Sequence, residues 1–157
     1  MTVIDRDHGY AALFRRLATE QRGRVVDVGV MGQEGAGIYE GTGLTVADVA
    51  SFHEFGRGVP ERSFIRAYVD ENRAKIEDRL RVMAKRVISG QLRSFEEGLE
   101  LIGLRIQAEI QARIRGGISP GLSDATIESK GSSTPLIDTG QLLSSITYEL
   151  RRIAEAA

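Results

Sequence analysis

The sequence predicts an α+β fold, with a small antiparallel sheet packed with several amphipathic helices and interrupted by two long loops. Three observations point there. Two long stretches in the middle of the chain place apolar residues every three or four positions. Two short segments, one toward each end, alternate apolar and polar residues with a period of two. Two further segments, Gly32–Gly43 and Gly116–Pro135, have no apolar period and carry much of the glycine. A chain of 157 residues suits a single domain spanning residues 1–157, with one core.

Taken in order, Asp7 to Arg22 reads as a first helix. Tyr10, Leu13, Phe14 and Leu17 share one face, Asp7 caps the start and Gly23 ends it. Arg24 to Met31, RVVDVGVM, reads as a strand because valine recurs in alternation. Gly32 to Gly43 holds five glycines and is expected to be a mobile loop or an irregular hairpin. Thr45 to Phe55 resumes as a helix with Val46, Val49 and Ala50 inward. Thr45 is its cap and Gly56 its stop, and Pro60 opens the next element.

Two long helices follow. The first is predicted over Glu61 to Ser89, with Ile65, Tyr68, Val69, Ile76, Leu80, Met83 and Val87 as its stripe. The second is predicted over Ser94 to Arg115, with Phe95, Leu99, Ile102, Ile106, Ile110 and Ile114 inward. Ser94 supplies a capping hydroxyl, and Glu96 and Glu97 place negative charge at the positive end of the helix dipole. Gly116 to Pro135 is a long loop with a helical turn expected at Ser123 to Ser129, and loops of that length usually bind something. Asp138 to Leu143 is a turn leading into a final strand, Ser144 to Leu150. Pairing of the two strands would bring the ends of the chain into one sheet.

Composition narrows the function. Lys plus Arg is 21 against 22 for Asp plus Glu, a net charge of −1. That argues against a protein whose work is to coat nucleic acid, which requires a surplus of cations. There is no cysteine, so disulfides and thiolate metal sites are excluded and a reducing compartment fits. The opening residues, MTVIDRDHGY, lack the apolar region of a secretory signal, and no run is long enough to span a bilayer. Synthesis in the cytoplasm, with no membrane partner, is the expectation.

The candidate chemistry is thin. Asp138-Thr139-Gly140 follows an apolar stretch as the aspartic-protease tripeptide does. Those enzymes need two aspartates sharing a proton, so one copy would work only in a dimer. The alternative is that Asp138 caps a short helix and Gly140 gives a tight turn before the last strand. The glycine-rich loop sits between a strand and a helix, yet has no Gly-Lys-Ser/Thr and no dinucleotide fingerprint. His8 and His53 have no second ligand at helical spacing, and Glu96, Glu97 and Glu100 are explained by the helix dipole as readily as by a cation. Arg79, Arg81, Lys85 and Arg86 are flanked by Glu71, Glu77 and Asp78 and read as a solvated helix face. No catalytic set, cofactor site or metal set emerges. A small helical domain with two loops has the profile of a part that docks onto other parts.

Two stretches carry a family resemblance. Val46 to Tyr68, VADVASFHEFGRGVPERSFIRAY, resembles phage tail-completion and virion-morphogenesis proteins: a short helix ending in Glu-Phe-Gly, a brief loop, then Pro-x-Arg-Pro-Phe opening a long helix. Glu54, Phe55, Gly56, Pro60, Arg62 and Phe64 match, and Ser63 stands where the family often has a second proline. Leu122 to Leu150, LSDATIESKGSSTPLIDTGQLLSSITYEL, resembles the C-terminal signature of the same family, most of all in Mu-like phages. The resemblance implies a virion structural protein at the neck or head-proximal end of the tail, assembled in the host cytoplasm. It would form a ring of six copies, meet other neck and tail proteins, and let packaged DNA pass without specific binding. A tail terminator or a head-side connector or stopper is the alternative of the same kind, and a dimeric protease through Asp138 the remote one. On this reading Glu54, Phe55, Gly56, Arg57, Arg62, Phe64, Arg66, Asp138, Thr139 and Gly140 are the candidate assembly residues. At least one of Arg57, Arg62 and Arg66 is expected either to pair across a subunit boundary or to remain solvated.

Overall fold

The computed structural model describes residues 23–121 and 140–152, with Arg15 and Leu136. Apart from Arg15, the expected first helix, Asp7 to Arg22, lies outside the described residues. So do Asp138, Thr139 and the helical turn expected at Ser123 to Ser129.

Strand β1 is Arg24–Val30, followed by a short helix α1, Gly32–Ala36, and by α2, Val46–Phe55. The long helices are α3, Arg66–Ile88, and α4, Phe95–Arg115. The chain closes with α5, Gln141–Ser144, and β2, Ile146–Arg152. The fold is α+β, as the two periodicities predict. β1 and β2 pair antiparallel from Arg24↔Arg152 to Val30↔Ile146, so the two ends of the described chain meet in one two-stranded sheet.

Alternation along both strands puts Val26 opposite Leu150 and Val30 opposite Ile146, all packed on the core. Helix α4 lies between this sheet and α3. Ile110 and Ile114 are 1% and 0% exposed, so α4 is the centre of the molecule. Two glycines of α4 make its neighbours' approach possible. A Cβ on Gly103 would lie 2.6 Å from Val26 Cγ2 and 2.8 Å from the Tyr148 ring, and one on Gly98 would lie 2.3 Å from Met83 Cγ.

Three expectations need correction. Helix α3 begins at Arg66, not near Glu61. Residue 61 instead passes over the end of α2, where a Cβ on Gly56 would sit 3.0 Å from Glu61 Cβ. Val69 and Leu80 of the expected stripe are exposed at 39% and 38%, because α4 is the long helix against α3 and covers only one side of it. The last strand starts at Ile146 rather than Ser144, since Ser144 and Ser145 donate their N–H groups to Gly140 and Gln141 in a helical turn. Of the two readings of Gly32 to Gly43, the irregular hairpin is the one found. The segment contains α1 and then this hairpin, closed by an Ile38↔Thr45 bridge, with Tyr39 buried beneath it.

Candidate functional site

The residues singled out by the first motif converge on the joint between α2 and α3. Thr45 starts α2 with a reciprocal capping box, its hydroxyl accepting from Asp48 N–H and the Asp48 carboxylate from Thr45 N–H. Gly56 ends it in the left-handed conformation at φ 65°. Just before that stop, Glu54 turns its carboxylate back into the protein, where it is 5% exposed. Oε2 accepts the N–H groups of Phe64 at 2.9 Å and Ile65 at 3.1 Å, and Oε1 accepts Arg66 N–H at 2.8 Å and the Ser63 hydroxyl at 2.7 Å.

Glu54 is therefore the N-terminal cap of α3, supplied by a different helix. The first N–H groups of a helix have no partner within it and attract negative charge. Ile65 at the cap position has no side-chain acceptor, and Glu54 fills that role. Burial alone would raise the pKa of Glu54. Hydrogen bonds from Ile65 N–H, the Ser63 hydroxyl, Arg66 N–H and Phe64 N–H outweigh it and hold the carboxyl below its usual range. Ser63 also accepts Ala67 N–H at 3.1 Å. A proline there would lack that hydroxyl.

The three arginines divide. Arg62 is 4% exposed and donates to the carbonyls of Pro120 at 2.8 Å and Gly121 at 3.0 Å, tying the joint to the start of the second long loop. Arg66 binds the Glu54 carbonyl at 2.6 Å and Glu61 at 2.8 Å, with its guanidinium 4.7 Å from the centre of the Phe55 ring. Arg62, buried, and Arg66, half-exposed, thus both make their contacts within the chain. Arg57 is exposed over the other reach of Phe55, at 5.3 Å, and Phe55 is itself 49% exposed. Phe64 is 0% exposed and anchors the joint in the core. Of the first motif, Phe55 and Arg57 are left as a surface.

In the second motif, Gly140 takes φ 79° as the residue before α5, the tight turn the sequence suggests. Sequence reading passed over its neighbour Gln141. The Gln141 side chain accepts Glu40 N–H at 2.8 Å and donates to Ile38 O at 3.4 Å, which ties the glycine-rich hairpin to the C-terminal segment. Gln111 of α4 then donates to the carbonyls of Leu143 and Ile146 and fixes the turn into β2.

Of the basic cluster, Arg81, Lys85 and Arg86 lie on the exposed face the sequence suggests, and Arg79 alone turns toward α4. Arg79 makes a two-pronged pair with Glu109 of α4 at 2.8 and 2.9 Å. Tyr68 donates its hydroxyl to the same carboxylate, and Arg105 adds a bond at 2.6 Å. Hydrogen bonds from Arg79, working against partial burial and helped by Tyr68 and Arg105, hold Glu109 at about 2. Nothing in this array is arranged as an acid–base or nucleophile set. Glu96 pairs with Arg24 at 3.2 Å, and Glu97 accepts Arg93 N–H at 2.8 Å. Among the described residues no group of three His, Cys, Asp or Glu could hold a metal, and no helix is long and apolar enough to cross a membrane.

Comparison of the chain with models of known protein families, with curated proteins and with solved structures returns no match.

Proposed function

We propose that this chain is a structural protein of a long-tailed phage virion, acting at the neck or the head-proximal end of the tail. There a ring of six copies makes the tail competent to join a DNA-filled head. The reading rests on the resemblance of two stretches. The observation that carries it further is that residues bordering or belonging to those stretches are used to hold the chain in shape. Glu54, Ser63 and Arg62 build the α2–α3 joint and bind the chain immediately before Leu122, while Gln141 binds the hairpin before α2. A part that must present fixed surfaces to several neighbours needs this kind of internal bracing. The near-zero net charge suits a ring through which DNA passes, because few phosphates would be neutralised.

Mass spectrometry of purified virions tests the reading. The expected result is this chain at a copy number equal to one ring of a sixfold tail protein. Its loss should leave filled heads and tails of normal length unjoined, with replication and lysis intact. Absence from particles would refute the reading. Loss of infectivity in an Asp138→Asn variant that still folds and assembles would instead favour the protease.

A further inference from the structure

One stretch of the described chain is purely acidic apart from His53. Between Arg24 and Arg57 it carries Asp27, Glu34, Glu40, Asp48 and Glu54 and no Lys or Arg. The hairpin within this stretch exposes two aliphatic side chains, Ile38 at 59% and Leu44 at 39%, on either side of exposed Glu40. Asp27 is paired with Arg151 and Glu54 is buried against Arg66, so Glu34, Glu40 and Asp48 are the exposed negative charges of the stretch that carries this apolar knob. A matching hollow lies between the outer faces of α3 and α4. This cleft of about 380 Å³ has Val82, Met83 and Leu101 among its apolar lining and Arg79, Arg86 and Arg105 along its edges. Leu101 is 54% exposed and Val82 39%. Glu109 offsets only one of the two charges it holds, and Asp78 at the edge is paired with Arg81. The cleft therefore keeps a positive rim around an apolar floor.

The knob and the cleft stand at different ends of α4. Gln141 ties the hairpin to the turn that Gln111 holds, and Gln111 lies about 9 Å further along the helix axis than Arg105, the nearest α4 residue of the cleft. A chain cannot readily close this contact on itself, but two copies can. We propose that the hairpin around Ile38, Glu40 and Leu44 of one copy docks in the α3–α4 cleft of the next, giving a head-to-tail contact. Complementary charge sets the orientation and the aliphatic residues supply the buried area. Such heterologous contacts close into rings when their rotation allows, so the inference deepens the ring reading and rests on it for closure.

The absence of cysteine makes the test clean. The full chain carrying Ile38→Cys and Leu101→Cys should give a ladder of disulfide-linked multimers on oxidation. A mixture of the two single variants should give one-of-each dimers and nothing larger. Arg86→Glu or Glu40→Arg, added to the double variant, should lower multimer yield about tenfold, and together they should restore it, because facing like charges oppose docking. A cross-link closing within one chain would overturn the proposal, as would one joining two Ile38→Cys chains. So would a double variant that stays uncross-linked at millimolar concentration. Failure here with sixfold copy number in virions would remove this contact and leave the virion role. Cross-linking of a protein missing from virions would do the reverse.

Discussion

Glu54 and Arg66 are joined through both backbone and side chain. The Glu54 carboxylate accepts Arg66 N–H at 2.8 Å and Arg66 Nε at 3.3 Å, and the Glu54 carbonyl accepts Arg66 Nη2 at 2.6 Å. The end of one helix is thereby fixed against the beginning of the next, and the loop between them is held at both edges. The direction in which α3 leaves the joint depends on a buried carboxylate that belongs to α2.

Removing that carboxylate should therefore cost more than a surface substitution. Glu54→Ala leaves the N–H groups of Phe64, Ile65 and Arg66 without their acceptor. The expected loss is about 2–4 kcal/mol, with Glu54→Gln losing roughly half as much because one carbonyl oxygen remains. Urea unfolding at constant m-value measures it. A loss below about 0.5 kcal/mol, typical of surface positions, would mean that water replaces the cap.

Acid stability should follow Glu109. Its folded pKa, about 2, lies below the ordinary value of 4.5. A depressed carboxylate contributes stability that is complete above the unfolded pKa and lost as pH falls through the folded one. Glu54, also lowered, acts in the same direction. Unfolding free energy should fall from about pH 4.5 toward pH 2, and Glu109→Gln should flatten part of that slope. An unchanged slope in the variant would assign acid sensitivity elsewhere.

Gly103→Ala should be destabilising although alanine favours helix. The added methyl would meet Val26 and Tyr148 at under 3 Å. Overpacking costs about 1–3 kcal/mol, partly offset by about 1 kcal/mol of helix propensity. A fall of a few degrees in Tm is expected, since each kcal/mol is worth about 2–4 °C in a chain of this size. Gly43→Ala is the control, because nothing lies within 4 Å of a Cβ there. Equal Tm values for the two variants would show that the sheet moves aside freely.

Gly140→Val should strain the turn before α5. A φ of 79° is costly for a β-branched residue, by about 1–3 kcal/mol. Gly140→Asn should cost less, because asparagine tolerates the left-handed region. Loosening of this turn should release the adjacent Gln141 side chain, which hydrogen exchange at the Glu40 amide would report. Unchanged exchange in the valine variant would mean that Gln141 is positioned without the turn.

Much of this architecture was legible in the residues. Thr45 and Ser94 announce helix starts, Gly56 a helix end, and the isoleucines of α4 a buried face. Each signal acts within about one turn of chain, so its outcome follows from neighbours in the sequence. The valines of β1 and the alternation before Leu150 likewise specify strands that need a partner, and in this small fold the partner is the other strand.

Other features were decided by packing. The start of α3 depends on an acceptor 12 residues upstream of Arg66, on another helix. Val69 and Leu80 fall on the apolar stripe yet stay exposed, because periodicity describes a face and not what covers it. Arg62 and Arg66 read as surface cations, but Arg62 is buried on two carbonyls and Arg66 braces Glu54. Gln141 and Gln111 carry no local signal, since these partners lie 30 or more residues away, and Glu109 shows only its i−4 neighbour Arg105, not Arg79 or Tyr68. The sequence alone determines periods, caps and turns, which short-range sterics and hydrogen bonds set along the chain. The tertiary structure decides which buried donor meets which acceptor, because that depends on distances that exist only once the sheet, α4 and α3 have packed.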